Sequence, residues 1–289
     1  IQQNDLLEYL ESCSDFGFEL SVLKMLRENG LECEHGGLYE DPVTGKYREF
    51  DIRAIKTVSD RRVRLAIECK NIRPNFPILI SCIPRQSEES YHQIAMVSDN
   101  KSNDFLNMPL IYKSRAYTLS IKGEHTIYKE NGPVGKSTAQ VGRVLDGSIT
   151  ANDGELYEKW SQSISSLADL ASRLYWDGDK DDTKEMFYST IFPVVVVPND
   201  RLWEAVYDSD GNSIKEPAPT NHCSCFIDKC FVIGSKLASS NFFVSHIEIM
   251  TFDGLCNFVD NHMSTASNME AIFPKDGILE AFKKKNNFT

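Results

Sequence analysis

The spacing of apolar positions changes along the chain, and each change marks an element. After a short amphipathic start carrying Leu6, Leu7 and Leu10, DFGFELSVLKMLRENG repeats apolar residues at helical spacing. It predicts a helix that opens near Ser14 or Asp15 and stops at Gly30, a residue type favoured just past a helix C-terminus. LECEHGGLY then alternates as a strand does. DPVTGK, residues 41–46, predicts a turn, because proline presets one φ angle and Gly45 accepts a positive one. The turn leads into YREFDIRAIKTV, and Ser59-Asp60-Arg61 reverses that strand into VRLAIECKNI. The expected skeleton of residues 15–72 is a helix followed by three antiparallel strands.

From about 73 to 152 the pattern loosens, with prolines at 74, 77, 84, 109 and 133 and only short strand-like pieces such as AYTLSIKG. This segment reads as an insertion or cap within a single domain spanning 1–289. Helical spacing returns in ELYEKWSQSISSLADLASRLYW, where Leu156, Trp160, Ile164, Leu167, Ala171 and Leu174 recur every three or four residues. An acidic linker, DGDKDDTKE, leads to IFPVVVVPND, whose unbroken apolar run suits a strand buried on both faces. A helix followed by a buried strand is half of a crossover unit, so this strand is expected to return beside the first three and complete their sheet. RLWEAVYDSDGNS predicts a strand entering an Asp-Gly turn, and NFFVSHIEIMTF predicts another strand. The fold class is thus α/β, a mixed sheet flanked by helices.

Composition adds bounds. With 289 residues and 41% hydrophobic content the chain can bury a sizeable core. No run approaches the ~18 apolar residues of a membrane helix, and IQQNDLLEYLESC lacks the basic-then-apolar layout of a signal peptide, so a cytoplasmic protein is expected. Eight cysteines scattered among apolar residues read as reduced thiols. Only His222, Cys223, Cys225 and Cys230 cluster, without the paired C-x2-4-C units of a zinc site. The net charge of −11 argues against indiscriminate nucleic-acid binding, yet residues 46–85 hold ten Lys/Arg against four Asp/Glu, a local +6.

That basic stretch contains the candidate chemistry. Alternate strand residues share a face, which sets Glu68 and Lys70 on one side of VRLAIECK and Asp51 with Arg53 on one side of REFDIRAI. Pairing about the Ser59-Asp60 turn brings Asp51 and Glu68 together at one end of the sheet. Neighbouring carboxylates raise one another's pKa unless a cation holds them, and Mg²⁺ takes one or two carboxylates plus phosphate and water. Lys70 would neutralise a phosphate or position the attacking water. Glu19 projects from the apolar face of its helix, between Phe16 and Val22, Leu23 and Leu26, so it needs a partner on the sheet; the alternative is that it complements the helix dipole.

A helix with Glu19, a hairpin carrying Asp51 and then Glu68-x-Lys70 on the next strand resembles the PD-(D/E)xK nuclease superfamily, over about residues 15–72. The resemblance implies a restriction-endonuclease-like core with insertions, and a metal-dependent endonuclease that hydrolyses phosphodiester bonds in DNA. It implies Mg²⁺, replaceable by Mn²⁺, held by Asp51, Glu68 and the carbonyl of Cys69. Lys70 would assist the water, and Glu19 would be an auxiliary ligand. Arg61, Arg62, Arg64 and Arg73 are the candidate phosphate contacts, which position a substrate without reading its sequence. The alternatives are an RNase and an inactive nucleic-acid-binding or assembly module. The acidic remainder of the chain suits docking on a partner such as an ATPase or sensor subunit, a homo-oligomer is compatible with the sequence, and a role in defence against foreign DNA fits the family.

Three further motifs do not change this reading. NGPVGKST, residues 131–138, lacks the first glycine of a P-loop and is expected to be a flexible loop. DGDKDDTKE lacks the Gly and Glu of a calcium loop and reads as a solvated linker. His246 and Glu248 share one strand face and read as a structural pair.

Overall fold

Helix α2 (Phe16–Glu28) follows α1 (Gln3–Ser12) and ends as its sequence requires. Gly30 takes φ 71°, its N–H donates to Arg27 O, and the Leu31 N–H reaches back to Leu26 O at 3.1 Å. This paired closure satisfies carbonyls that the helix leaves open, and Leu26 and Leu31 join the same core cluster. Gly30→Ala is expected to cost about 1 kcal/mol in urea unfolding, because the left-handed conformation disfavours a Cβ. That Cβ would also sit 3.1 Å from Lys56 Nζ, which bonds the Asn29 and Gly30 carbonyls.

The computed structural model describes residues 1–12, 14–98, 116–144, 146–152, 154–174, 186–235 and 238–285. Strands β1 (Glu32–Glu40), β2 (Tyr47–Val58) and β3 (Arg61–Cys69) form the expected antiparallel meander, with Ile52 opposite both His35 and Ile67. Asp41 closes the first turn by accepting from the Val43 and Thr44 N–H groups, and Ser59 takes φ 57° in the second.

Strands β4 (Ile78–Pro84), β5 (Tyr91–Ser98), β6 (Ala116–Lys122), β7 (Pro133–Arg143) and β8 (Ile149–Asn152) follow, then α3 (Gly154–Leu174) and β9 (Met186–Val197). The chain continues through β10 (Leu202–Val206), β11 (Ala218–Pro219), β12 (His222–Ser235), β13 (Ala238–Thr251), α4 (Phe252–His262) and α5 (Lys275–Lys285). Among the described residues all strands belong to one 13-stranded mixed sheet, ordered β1-β2-β3-β9-β13-β12-β7-β4-β10-β11, with β5 joining β6 to β9 and β8 on β7. The segment expected as an insertion or cap therefore contributes five strands to the sheet itself. The acidic linker lies outside the described residues.

Strand β9 is the hub. It runs parallel to β3, with Glu68 beside Val195, as the crossover pattern predicts. Its other edge is shared: β5 pairs antiparallel as far as Ser189, and β13 pairs parallel from Val194. Pro193 falls between the two partners on that edge, which is where a central strand can spare an N–H.

Helices cover both faces. Helices α2 and α4 pack on Ile52, Leu65, Ile67 and Val194. Leu167, Leu170, Ala171 and Leu174 of α3 pack on the opposite face with Ala66 and Ile191. Polar clamps fix α3 further. Arg53 donates to Asp169 at 2.6 Å and to Ser166 O at 3.3 Å, and Ser163 Oγ donates to Ala66 O at 3.1 Å.

Residues 131–138 correct an expectation, since most of them form the start of β7 instead of a flexible loop. Val134 is buried there, and a Cβ on Gly135 would lie 2.4 Å from Cys225 Sγ, so this glycine serves close packing. Lys136 pairs with Glu89.

Candidate functional site

The β2–β3 register, continued one step beyond Ile52 and Ile67, sets Asp51 against Glu68 at the carboxyl end of β3. Both face α3. Lys159, in the first half of that helix, places Nζ 2.7 Å from Asp51 Oδ2 and 3.5 Å from Glu68 Oε2. Asp51 Oδ2 also accepts the Cys69 N–H at 2.8 Å, which ties the acid to the end of the neighbouring strand. The Cys69 side chain points away into the core, and burial followed by the Asp51 charge pushes its thiol well up.

Electrostatics distinguishes the three charged groups. Glu68 is 1% exposed against 13% for Asp51. Burial, and then the Asp51 charge, push the Glu68 carboxyl well above its ordinary value. Burial pulls Lys159 down, but Asp51 and Glu68 outweigh it and hold the ammonium above the usual lysine value. The two directions are compatible. Lys159 draws on two carboxylates, whereas Glu68 shares one ammonium that lies closer to Asp51.

The unfolded chain releases the Glu68 proton near the ordinary carboxylate value while the fold retains it. Stability is therefore lost as pH rises from there through the raised folded value. Glu68→Gln, free of metal, is expected to melt higher than the parent at pH 8, with a smaller difference at pH 5. A lower melting temperature at both pH values would show that the charge of Glu68 stabilises the fold.

Helix α2 brings Glu19 toward this pair. His35 Nε2 lies 3.3 Å from Glu19 Oε2, and burial followed by the Asp51 charge raises the Glu19 carboxyl. The expectation that Glu19 needs a partner on the sheet is met by His35. Lys70, expected to act beside Glu68, lies just past the end of β3 with Nζ 3.5 Å from Asp15 Oδ2. Asp15 also accepts the Asn71 N–H at 2.7 Å, fastening the start of α2 to the end of β3.

The arginines need correction. Arg61 is buried and donates to Ala266 O and Glu270, and Arg64 is buried. Arg62 is half-buried, bonds Thr57 Oγ1 and lies over the Phe187 ring. All three stand toward the start of β3; Arg61 is roughly 23 Å along the strand from Glu68 at ~3.3 Å per residue. Arg61 and Arg62 commit their polar atoms to internal contacts, and Arg61 and Arg64, on opposite faces of β3, are both buried because both faces of the sheet are covered. Arg73 is exposed.

The His222–Cys230 cluster is divided by its strand. Cys223 and Cys225 are buried, with Cys223 Sγ 3.5 Å from Cys82 Sγ, while Cys230 is exposed beyond an irregularity at Phe226–Lys229. Glu248, fully buried, accepts from Tyr128, from His222 Nε2 at 2.5 Å and from Ser224 at 2.6 Å. His246 stacks on Tyr128, accepts from Arg85 Nε and so carries its proton on Nδ1, which donates to Ser245. These two residues belong to a satisfied polar network beside a cavity of about 230 Å³.

Among the described residues, no three His, Cys, Asp or Glu side chains are grouped as they would be around a metal ion. Asp51 and Glu68 supply hard oxygen donors of the kind and number Mg²⁺ uses, but Lys159 already rests on those oxygens. Lys159 escaped the sequence reading. Its signal is positional, for it stands four residues before the fully buried Ser163 on the stripe that faces β3. Comparison with protein-family models, curated proteins and solved structures finds no significant match to this chain.

Proposed function

We propose that the chain is a metal-dependent nuclease with a restriction-endonuclease-like core, hydrolysing phosphodiester bonds in DNA by direct attack of water. The observation that carries this reading is the meeting of Asp51 and Glu68 at the carboxyl end of β3, backed by the cation of Lys159. Asp51 and Glu68 would hold Mg²⁺, with Mn²⁺ as a substitute. The bound ion supplies Lewis-acid polarisation of the phosphate and a more acidic water. Lys159 neutralises charge gathering on the phosphate oxygens, Lys70 stands at the rim of the same strand end, and Glu19 adds negative potential toward Asp51. Arg73, exposed beyond β3, is the remaining candidate phosphate contact.

One observation favours a second reading. Lys159 bonds both acids itself, and the same bridge would serve to hold together an inactive nucleic-acid-binding or assembly module. Incubation of the protein with plasmid DNA, linear DNA and RNA in Mg²⁺, Mn²⁺ or EDTA separates the readings. Cleavage of DNA that EDTA abolishes is expected; cleavage of RNA alone would reassign the substrate, and binding without cleavage would favour the module. Partner delivery by an ATPase or sensor subunit, and a role in defence, rest on the family resemblance.

A further inference from the structure

Lys159 is unusual in touching both members of the acid pair. Its ammonium is 2.7 Å from an Asp51 oxygen that has already accepted the Cys69 N–H, and the same nitrogen is 3.5 Å from Glu68. The helix that carries it cannot drift, since Ser163, Ser166 and Asp169 pin α3 to β2 and β3. The side chain, by contrast, is a four-carbon stem with a mobile head. A divalent ion on the same carboxylate oxygens would bring two positive charges within about 4 Å of that ammonium. At an effective dielectric near 20, each such charge pair repels by about 4 kcal/mol. The ion therefore cancels much of the attraction that holds the ammonium on the acids and competes with it for the same carboxylate oxygens.

Resting on the nuclease reading, we propose that Lys159 is a built-in competitor for the divalent ion: it holds the Asp51–Glu68 pair until an ion displaces it, and the displaced ammonium then turns to the substrate phosphate. The lysine thus couples metal arrival to substrate charge neutralisation, and it lowers the resting affinity of the site for cations.

Titration calorimetry with Mn²⁺ alone, at pH 8 and without nucleic acid, tests this on the parent, Lys159→Gln and Lys159→Arg. Lys159→Gln is expected to bind Mn²⁺ at least about ten-fold more tightly than the parent, since it removes a competitor without adding a ligand. Lys159→Arg, whose planar fork grips carboxylates at two points, is expected to bind Mn²⁺ no more tightly than the parent. It serves as the deciding variant if Lys159→Gln does not fold, and tighter Mn²⁺ binding by Lys159→Arg would overturn the proposal. Equal or weaker binding by Lys159→Gln, with clear binding by the parent, would overturn the competition while leaving the nuclease reading standing. Absence of Mn²⁺ binding in every variant would overturn both. Binding by Lys159→Gln but not by the parent would support the competition and count against a metal-loaded resting enzyme.

Discussion

Asp51→Ala and Glu68→Ala are each expected to lose Mg²⁺-dependent DNA cleavage by at least about 10²-fold while the circular dichroism spectrum is retained. The basis is geometric. The two acids close the same end of the β2–β3 ladder, and either one alone leaves a single carboxylate beside Lys159. Lys159→Ala should fall with them, because it removes the cation nearest the acids. Lys70→Ala should be milder, since Lys70 stands beside Asp15. The lysine comparison separates stability from chemistry: a Lys159→Ala protein that melts like the parent but cleaves poorly has lost transition-state neutralisation. Unchanged cleavage by both acid variants would end the nuclease reading.

The second large effect is a loss of stability in mild acid, set by imidazoles more than by carboxylates. His92 is buried, with Nε2 donating to Ile272 O and Nδ1 2.8 Å from Thr126 Oγ1. Burial pushes its pKa down to about 4, and burial pushes His246 down to about 3. The unfolded chain binds these protons near pH 6.5 while the fold refuses them. Stability therefore falls as pH drops from 6.5 toward the folded values. At ~1.4 kcal/mol per pKa unit, each histidine contributes a loss of about 3–5 kcal/mol across its full window.

Glu248 extends the loss further into acid. Burial would raise its carboxyl, but His222 and other neighbours bring it down to about 2, so its contribution is present above pH 4.5 and lost on the way to 2. Glu68 has the opposite sign and offsets part of the loss. Urea unfolding at pH 7.5, 6, 5 and 4.5 should show a steady decline, and His92→Gln should flatten its slope. A protein as stable at pH 4.5 as at 7.5 would mean that neither ring stays neutral in the fold.

The part of the fold legible in the sequence is the part whose contacts are local or repetitive. Helix α2, its Gly30 stop and the three-strand meander were readable because period, turn chemistry and adjacency agree there. Strand β9 was readable because a run such as VVVV is unfavourable anywhere but a doubly covered strand. Helices α4 and α5 and strand β12 went unread. The sequence of β12 mixes cysteines, an aspartate and a lysine, and its buried side chains follow the partners β13 and β7 more than any alternation of its own. At the candidate site the acids could be read because they interrupt apolar strands. Lys159 could not, because a lysine in a helix is ordinarily solvated and only the docking of α3 on β3 turns it inward. The inward arginines went astray for the complementary reason: hairpin periodicity gives a face but not what covers it.

The separation between Lys159 and the acids has a consequence for synthesis. Lys159 lies 91 residues after Glu68, and 108 after Asp51, so the ribosome delivers the hairpin well before its counter-ion. At ~5–20 residues per second the interval is roughly 5–20 s. During that time the nascent α2–β3 unit carries an uncompensated pair of acids and lacks both β9 and α3, which cover its edge and one face. The site is complete only after α3 has docked on the hairpin, and the β3–β9 pairing beside it, the longest-range one among the described strands, closes later still.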